Sequence, residues 1–137
     1  MSNATRRRGK NLGEVELAAL NFVWERGPAT AEACREALAA THPMKESTVR
    51  TVLRRLEAKG YLKHSLDGRT YIYRAAEPRR SVAARAVQQI MDRFCGGSAE
   101  ELLLGMVDGK LLSHRQIERL ARRVAADKAS LGREDKP

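Results

Sequence analysis

Between Lys45 and Lys59 the chain places Ser47, Arg50, Thr51 and Arg54 at three- and four-residue spacing. At about 100° per residue these side chains, with Arg55 beside them, gather on one side of a helix. Val49, Val52, Leu53 and Leu56 take the other side as a narrow apolar stripe. A helix divided this way is anchored by its stripe and offers polar groups on the opposite face. Arginine there can grip the O6 and N7 acceptors of guanine in a bidentate manner, and threonine supplies a hydroxyl and a methyl. Arg55 lies further to the side, where a phosphate suits it better than a base edge. A solvated amphipathic helix would carry the same pattern, so the neighbouring segments matter.

The period then changes from 3.6 to 2. Tyr61–Leu66 and Arg69–Arg74 are rich in aromatic and β-branched residues and flank Asp67-Gly68, a strong hairpin signal. Lys63, His64, Arg69 and Arg74 sit on this hairpin, with Arg69 just past its tip. A basic tip suits a nucleic-acid backbone or minor groove, while charge along a strand also keeps its edge from pairing with strangers. Tyr71 and Tyr73 share a face with Leu62 and are expected in the core. Aromatic residues make up 4% of the chain, too few for an RNA platform built on base stacking.

The net charge of +9 is unevenly placed. Residues 1–11 carry +4 through Arg6, Arg7, Arg8 and Lys10. Residues 12–44 carry −3, residues 45–74 carry +5, and the remainder +3. The +5 block coincides with the arginine-bearing helix and hairpin, behind an acidic scaffold. An excess of this size points to a polyanionic partner, and its placement favours duplex DNA over a membrane surface.

At 137 residues one small domain with an appendage is expected. Residues 1–11 lack apolar periodicity and read as a disordered basic arm, which could follow a DNA groove or serve only solubility. A first helix is predicted from Gly13 to Arg26 on Val15, Ala18, Ala19, Phe22 and Val23, with Leu20 and Trp24 widening the stripe. Thr30 caps a second helix to Ala40, whose inner face is Ala33, Cys34, Ala37 and Leu38. Gly60 closes the third. Three helices and then a hairpin is the order of a winged helix-turn-helix, here residues 12–77.

Beyond Glu77-Pro78, residues 78–131 read as helical. Val82, Ala86, Val87, Ile90, Met91 and Phe94 line one helix, broken by Gly96-Gly97. Ser98-x-x-Glu101 opens a short apolar helix containing Leu103, and Ser113-x-x-Gln116 opens a last one with Ile117, Leu120, Ala121 and Val124. These stripes could pack within one chain or across a two-fold axis. A winged helix of this size gains more burial from the second arrangement. Residues 132–137 form a tail. The fold class is therefore mainly α with a small β-hairpin: a winged helix-turn-helix domain plus a C-terminal helical dimerisation region.

Catalytic and metal readings find little support. Cys34 and Cys95 stand singly, away from His42, His64 and His114, and Cys34 reads as a small buried apolar residue. No phosphate-cradling glycine loop is present. No enzyme activity, metal or cofactor is expected. Neither a membrane-spanning run nor a secretory segment is evident, so a cytoplasmic, nucleoid-associated protein is expected.

The segments LGEVELAALNFVWERGPAT, STVRTVLRRLEAKGYL and DGRTYIY, followed by FCGGS and LLSHRQIERL, resemble the penicillinase-repressor type of bacterial transcription regulators over about residues 12–125. That type includes the β-lactamase, methicillin-resistance and copper-transport repressors. The resemblance implies a homodimeric repressor bound to a pseudo-palindromic double-stranded DNA operator. Ser47, Thr48, Arg50, Thr51 and Arg54 would take the recognition-helix positions, with Arg55, Lys63 and Arg69 as further DNA contacts. Val87, Ile90, Met91, Phe94, Leu103, Ile117, Leu120 and Val124 would join the protomers. Antibiotic-responsive members are cut by a sensor protease at an Asn-Phe bond, and alignment on Leu112-Ser113 places Gly105-Met106 there instead. The paired Cys-x-Cys motifs of copper-responsive members have no counterpart in the closing LGREDKP. The alternative to a specific repressor is a winged-helix protein–protein interaction module with only non-specific DNA affinity.

Overall fold

The computed structural model describes residues 12–135, with side chains through Ala129. Helices α1 (Glu14–Arg26), α2 (Ala31–Leu38) and α3 (Glu46–Ala58) precede an antiparallel hairpin of β1 (Leu62–Asp67) and β2 (Thr70–Ala75). Then follow α4 (Arg79–Phe94), α5 (Ala99–Asp108) and α6 (His114–Asp135). The basic arm expected over residues 1–11 lies outside the described residues.

Local signals account for the element ends. The Gly13 N–H donates to Glu16 Oε1 at 3.0 Å, satisfying a donor at the start of α1. Gly27, at φ +86, ends α1 with its N–H on the Val23 carbonyl. Thr30 Oγ1 accepts from the Ala33 N–H at 3.0 Å and caps α2. Asp67 pairs with Thr70, so the two-residue turn is Gly68-Arg69 and not Asp67-Gly68. With φ +63 at Gly68 and a negative φ at Arg69, this is the arrangement of a type II′ turn. Arg69 therefore occupies the tip itself.

Ala19, Leu20, Phe22 and Val23 of α1 meet Cys34 and Leu38 of α2 in one core. Val49, Val52, Leu53 and Leu56 of α3, with Tyr61, Leu62 and Tyr73 from the hairpin, close it. Two expectations fail at its edges. Ala37 is exposed, because the short α2 buries only the strip centred on Cys34 and Leu38. Tyr71 is 44% exposed although it shares a face with the buried Tyr73. Only the inner half of the hairpin, from the Leu62–Ala75 pair to the His64–Tyr73 pair, meets the helices; its outer half projects from the core.

The base gains a further pairing. The Ala29 N–H donates to the Tyr73 carbonyl at 2.9 Å and the Tyr73 N–H returns to Ala29 at 2.8 Å. That single bridge gives β2 a partner on its other edge.

The chain divides into two compact units, up to Ala86 and from Val87 onward. The division falls inside α4, whereas composition marks its boundary at Glu77-Pro78. In the first unit the Trp24 indole N–H donates to the Glu77 carbonyl at 3.1 Å, and the Arg85 guanidinium pairs with the Glu77 carboxylate. Arg79 lies 5.3 Å over the Trp24 ring, a cation–π distance. In the second unit Ser113 and Gln116 form the reciprocal box, whereas Ser98 accepts from the Glu101 N–H while its own N–H donates to the Cys95 carbonyl, so only half of that box forms. The last helix continues to Asp135, four residues into the expected tail. Side chains of α4, α5 and α6 stay largely uncovered: Phe94 is 75% exposed and Val124 56%.

Candidate nucleic-acid interface

The polar face of α3 is built by burying its other side. Val49 and Leu56 are fully buried and Leu53 nearly so, which fixes the rotation of the helix. Ser47, Thr48, Arg50, Thr51, Arg54 and Arg55 are all exposed as a result. The far end of α3 is tied to α1 by Lys59 Nζ, which lies 2.7 Å from Glu16 Oε2 and 2.9 Å from Oε1. Burial alone would raise the Glu16 carboxyl. The Lys59 hydrogen bond, the Gly13 N–H and the positive charges of Lys59 and Arg55 outweigh it and hold the carboxyl below its ordinary range.

The exposed residues divide by role. Arg50 Nη2 lies 2.8 Å from Glu46 Oε1, one turn earlier on the same helix. Such an exposed i,i+4 pair is weak and can be exchanged for a better acceptor. Arg54 and Arg69 make no side-chain ion pair among the described residues. Thr51 Oγ1 donates to the Ser47 carbonyl at 3.0 Å, so its hydroxyl proton is committed and its methyl is the group on offer. The charge of Arg55 acts on Glu16, on the α1 side of the helix.

Arg50, Arg54 and Arg69 line one open cleft of about 400 Å³. Its walls are α3, the wing residues Thr70, Tyr71 and Tyr73, and the start of α2 at Thr30–Glu32. Glu32 and Glu46 also border it, so acceptors stand beside three guanidinium groups. Ser47, Thr48, Thr51 and Arg55 lie outside the cleft along the exposed helix, and Lys63 does not line it either. Lys63 pairs with Arg74 across the hairpin, on the face opposite Leu62, His64 and Leu66. Arg74 is engaged there with Ser65 Oγ at 3.1 Å.

Several residues that build this surface carry no isolated sequence signal. Glu57 and His64 join α3 to β1, with His64 Nδ1 donating to Glu57 Oε2 at 2.6 Å. His64 also stacks on Tyr71 with ring centroids 4.2 Å apart. These contacts join surface residues seven positions apart in different elements and leave no periodicity. The Glu46–Arg50 pair, by contrast, is visible as an i,i+4 spacing. Among the described residues no group of three or more His, Cys, Asp or Glu could hold a metal ion, and no helix is long and apolar enough to cross a membrane.

The model of the family described as penicillinase repressor matches residues 12–126, most of the chain. The chain belongs to that family of transcription regulators. Among its relatives, an uncharacterised 16.5 kDa protein of Latilactobacillus sakei is 27% identical over 124 residues, covering 88% of this chain and 85% of that protein. The penicillinase repressor of Bacillus licheniformis is 23% identical over 109 residues, covering 80% and 85%. A solved structure, the monomeric form of the Bacillus licheniformis BlaI protein in complex with the blaP half-operator, is 24% identical with a TM-score of 0.45. It covers 52% of this chain and 87% of that one.

In this penicillinase-repressor family member the helices α1 to α3 and the β1–β2 hairpin have the order of a winged helix, with α3 last of the three helices and the hairpin as wing. The exposed apolar residues Val87, Ile90, Phe94, Leu103, Leu120 and Val124 all fall in the second unit. Met91 and Ile117 are half-covered. Gly105-Met106, the pair singled out by the resemblance, lies within α5, and the Gly105 carbonyl accepts from the Gly109 N–H at 2.9 Å.

Proposed function

We propose that this chain is a sequence-specific transcriptional repressor that acts as a homodimer on a pseudo-palindromic operator in chromosomal DNA. The observation that carries the reading is the convergence of Arg50, Arg54 and Arg69, from recognition helix and wing tip, on one exposed cleft. Arg50 and Arg54 would read base edges in the major groove, Arg69 would hold backbone, and the methyl of Thr51 would meet thymine. Ser47 and Thr48 at the start of α3, with Arg55 and Lys63 beyond the cleft, would serve as flanking contacts. Repression would follow from occlusion of the promoter. Its relative in Bacillus licheniformis, a penicillinase repressor, supports this reading.

The uncovered apolar residues of α4 to α6 support the dimer. Side chains such as Phe94, Leu103, Leu120 and Val124 gain free energy by leaving water, and a second copy supplies a complementary set. A two-fold dimer sets two recognition helices roughly 34–36 Å apart or a multiple of that, which fixes the half-site spacing.

Selection of bound genomic fragments by the full chain, followed by anisotropy titrations at several salt concentrations, tests the reading. A recovered inverted repeat bound far more tightly than random DNA is expected. Equal, salt-dependent affinity for every fragment would leave an interaction module with only non-specific DNA affinity.

A further inference from the structure

We propose that Glu57, His64 and Tyr71 form a strut that positions the wing, so that Arg69 is presented alongside the α3 arginines; this rests on the DNA-binding reading above. A two-stranded ribbon is marginal by itself and needs packing to hold an orientation. At the base it has that packing, through Leu62, Tyr73 and the Ala29 bridge. Further out, Leu66 is 61% exposed and contributes no anchor.

The strut fills this gap. Glu57 stands in the last turn of α3, and its carboxylate receives His64 Nδ1 at 2.6 and 2.9 Å. The His64 imidazole stacks on Tyr71, with planes 11° apart, across the strands from β1 to β2. Tyr73 tilts against both rings at 6.0 and 6.1 Å. Tyr71 lies two positions from Arg69, so a force on its ring is felt at the tip. Because α3 is fixed by its buried stripe and the Lys59–Glu16 pair, Glu57 is a rigid reference for the wing. The side chains of Glu57 and His64 remain about a third exposed, so the contact contributes direction more than core stability. Glu57 and His64 are positioning residues: neither lines the cleft.

The test is a double-mutant cycle on the full chain, with affinity for its selected operator read against salt. Arg69→Ala is expected to cost about tenfold and to lower the salt slope by about one. Glu57→Ala or His64→Ala is expected to cost about fivefold and to lower the slope in the same direction. Placed on Arg69→Ala, each should cost less than about twofold more, because no tip charge is left to position. Glu57→Gln keeps an acceptor oxygen and should restore most of the loss. Full additivity with Arg69→Ala, or an Arg69→Ala variant of unchanged affinity, would overturn the proposal. Failure of the DNA-binding reading looks different, since the unaltered chain would then not distinguish operator from random DNA.

Discussion

Lys59 Nζ and Glu16 Oε2 meet at 2.7 Å between the end of α3 and the beginning of α1, with side chains 20% and 14% exposed. This contact joins the helix that presents the arginines to the acidic scaffold behind it. Removing one partner leaves a mostly buried charge alone. Lys59→Met is expected to cost about 1–3 kcal/mol, read from the urea midpoint at constant slope.

The same pair gives stability a pH dependence of known sign. The Glu16 carboxyl is held below its ordinary value of 4.5 in the folded chain, so folding favours its ionised form. Its contribution is complete above that value and is lost as pH falls through the lower, folded value. The urea midpoints of the unaltered chain and of Glu16→Gln should therefore differ at pH 7 and converge in acid. A gap that persists undiminished to pH 2 would contradict the assignment.

Arg50→Ala and Arg54→Ala should each cost on the order of 1–3 kcal/mol, concentrated at one operator position and accompanied by relaxed preference there. Affinity across a panel of single-base operator variants checks this. A uniform loss across the panel would move the residue from base reading to backbone contact. Glu46→Gln frees Arg50 from its neighbour and should change base preference at the Arg50 position without loss of folding stability.

In the second unit Phe94→Glu should shift the chain toward monomer, measured by light scattering at micromolar concentration. Its ring is three-quarters exposed in the single chain. A charge there costs little within one copy and much inside an apolar interface. Light scattering that gives one chain per particle for the unaltered protein would refute the dimer outright.

Leu53→Ala should destabilise the first unit by about 2–5 kcal/mol, because a nearly fully buried side chain leaves a cavity in the core. Leu66→Ala, on the exposed part of the hairpin, should change the denaturation midpoint very little. The pair of variants separates the core from the projecting wing in a single denaturation experiment.

The helices and the arginine face were legible because both obey a period: the stripe of Val49, Val52, Leu53 and Leu56 dictates where Arg50 and Arg54 point. The caps at Thr30, Ser98 and Ser113 were legible because a short-range donor and acceptor pattern determines them. Turn register was not. Asp67-Gly68 and Gly68-Arg69 both suit a hairpin, and pairing of Leu62 with Ala75 at the base selects the second. The alternation that buries Tyr73 says nothing of how far along the ribbon the helices extend, so by itself it puts Tyr71 in the core, where the structure does not. The Ala29–Tyr73 bridge and the Glu57–His64 contact are single events between residues of different segments, with no repeat to betray them.

Cys34 lies at the meeting of α1, α2 and α3, and burial pushes its thiol up to about 11. Alkylating reagents attack thiolate, so this sulfur is silent in the intact core and reacts only when the helices part. Cys95, in the second unit, is half-covered. The chain thus carries a slow and a fast labelling site, and mass spectrometry of timed alkylation can follow the opening of the first unit against an internal clock.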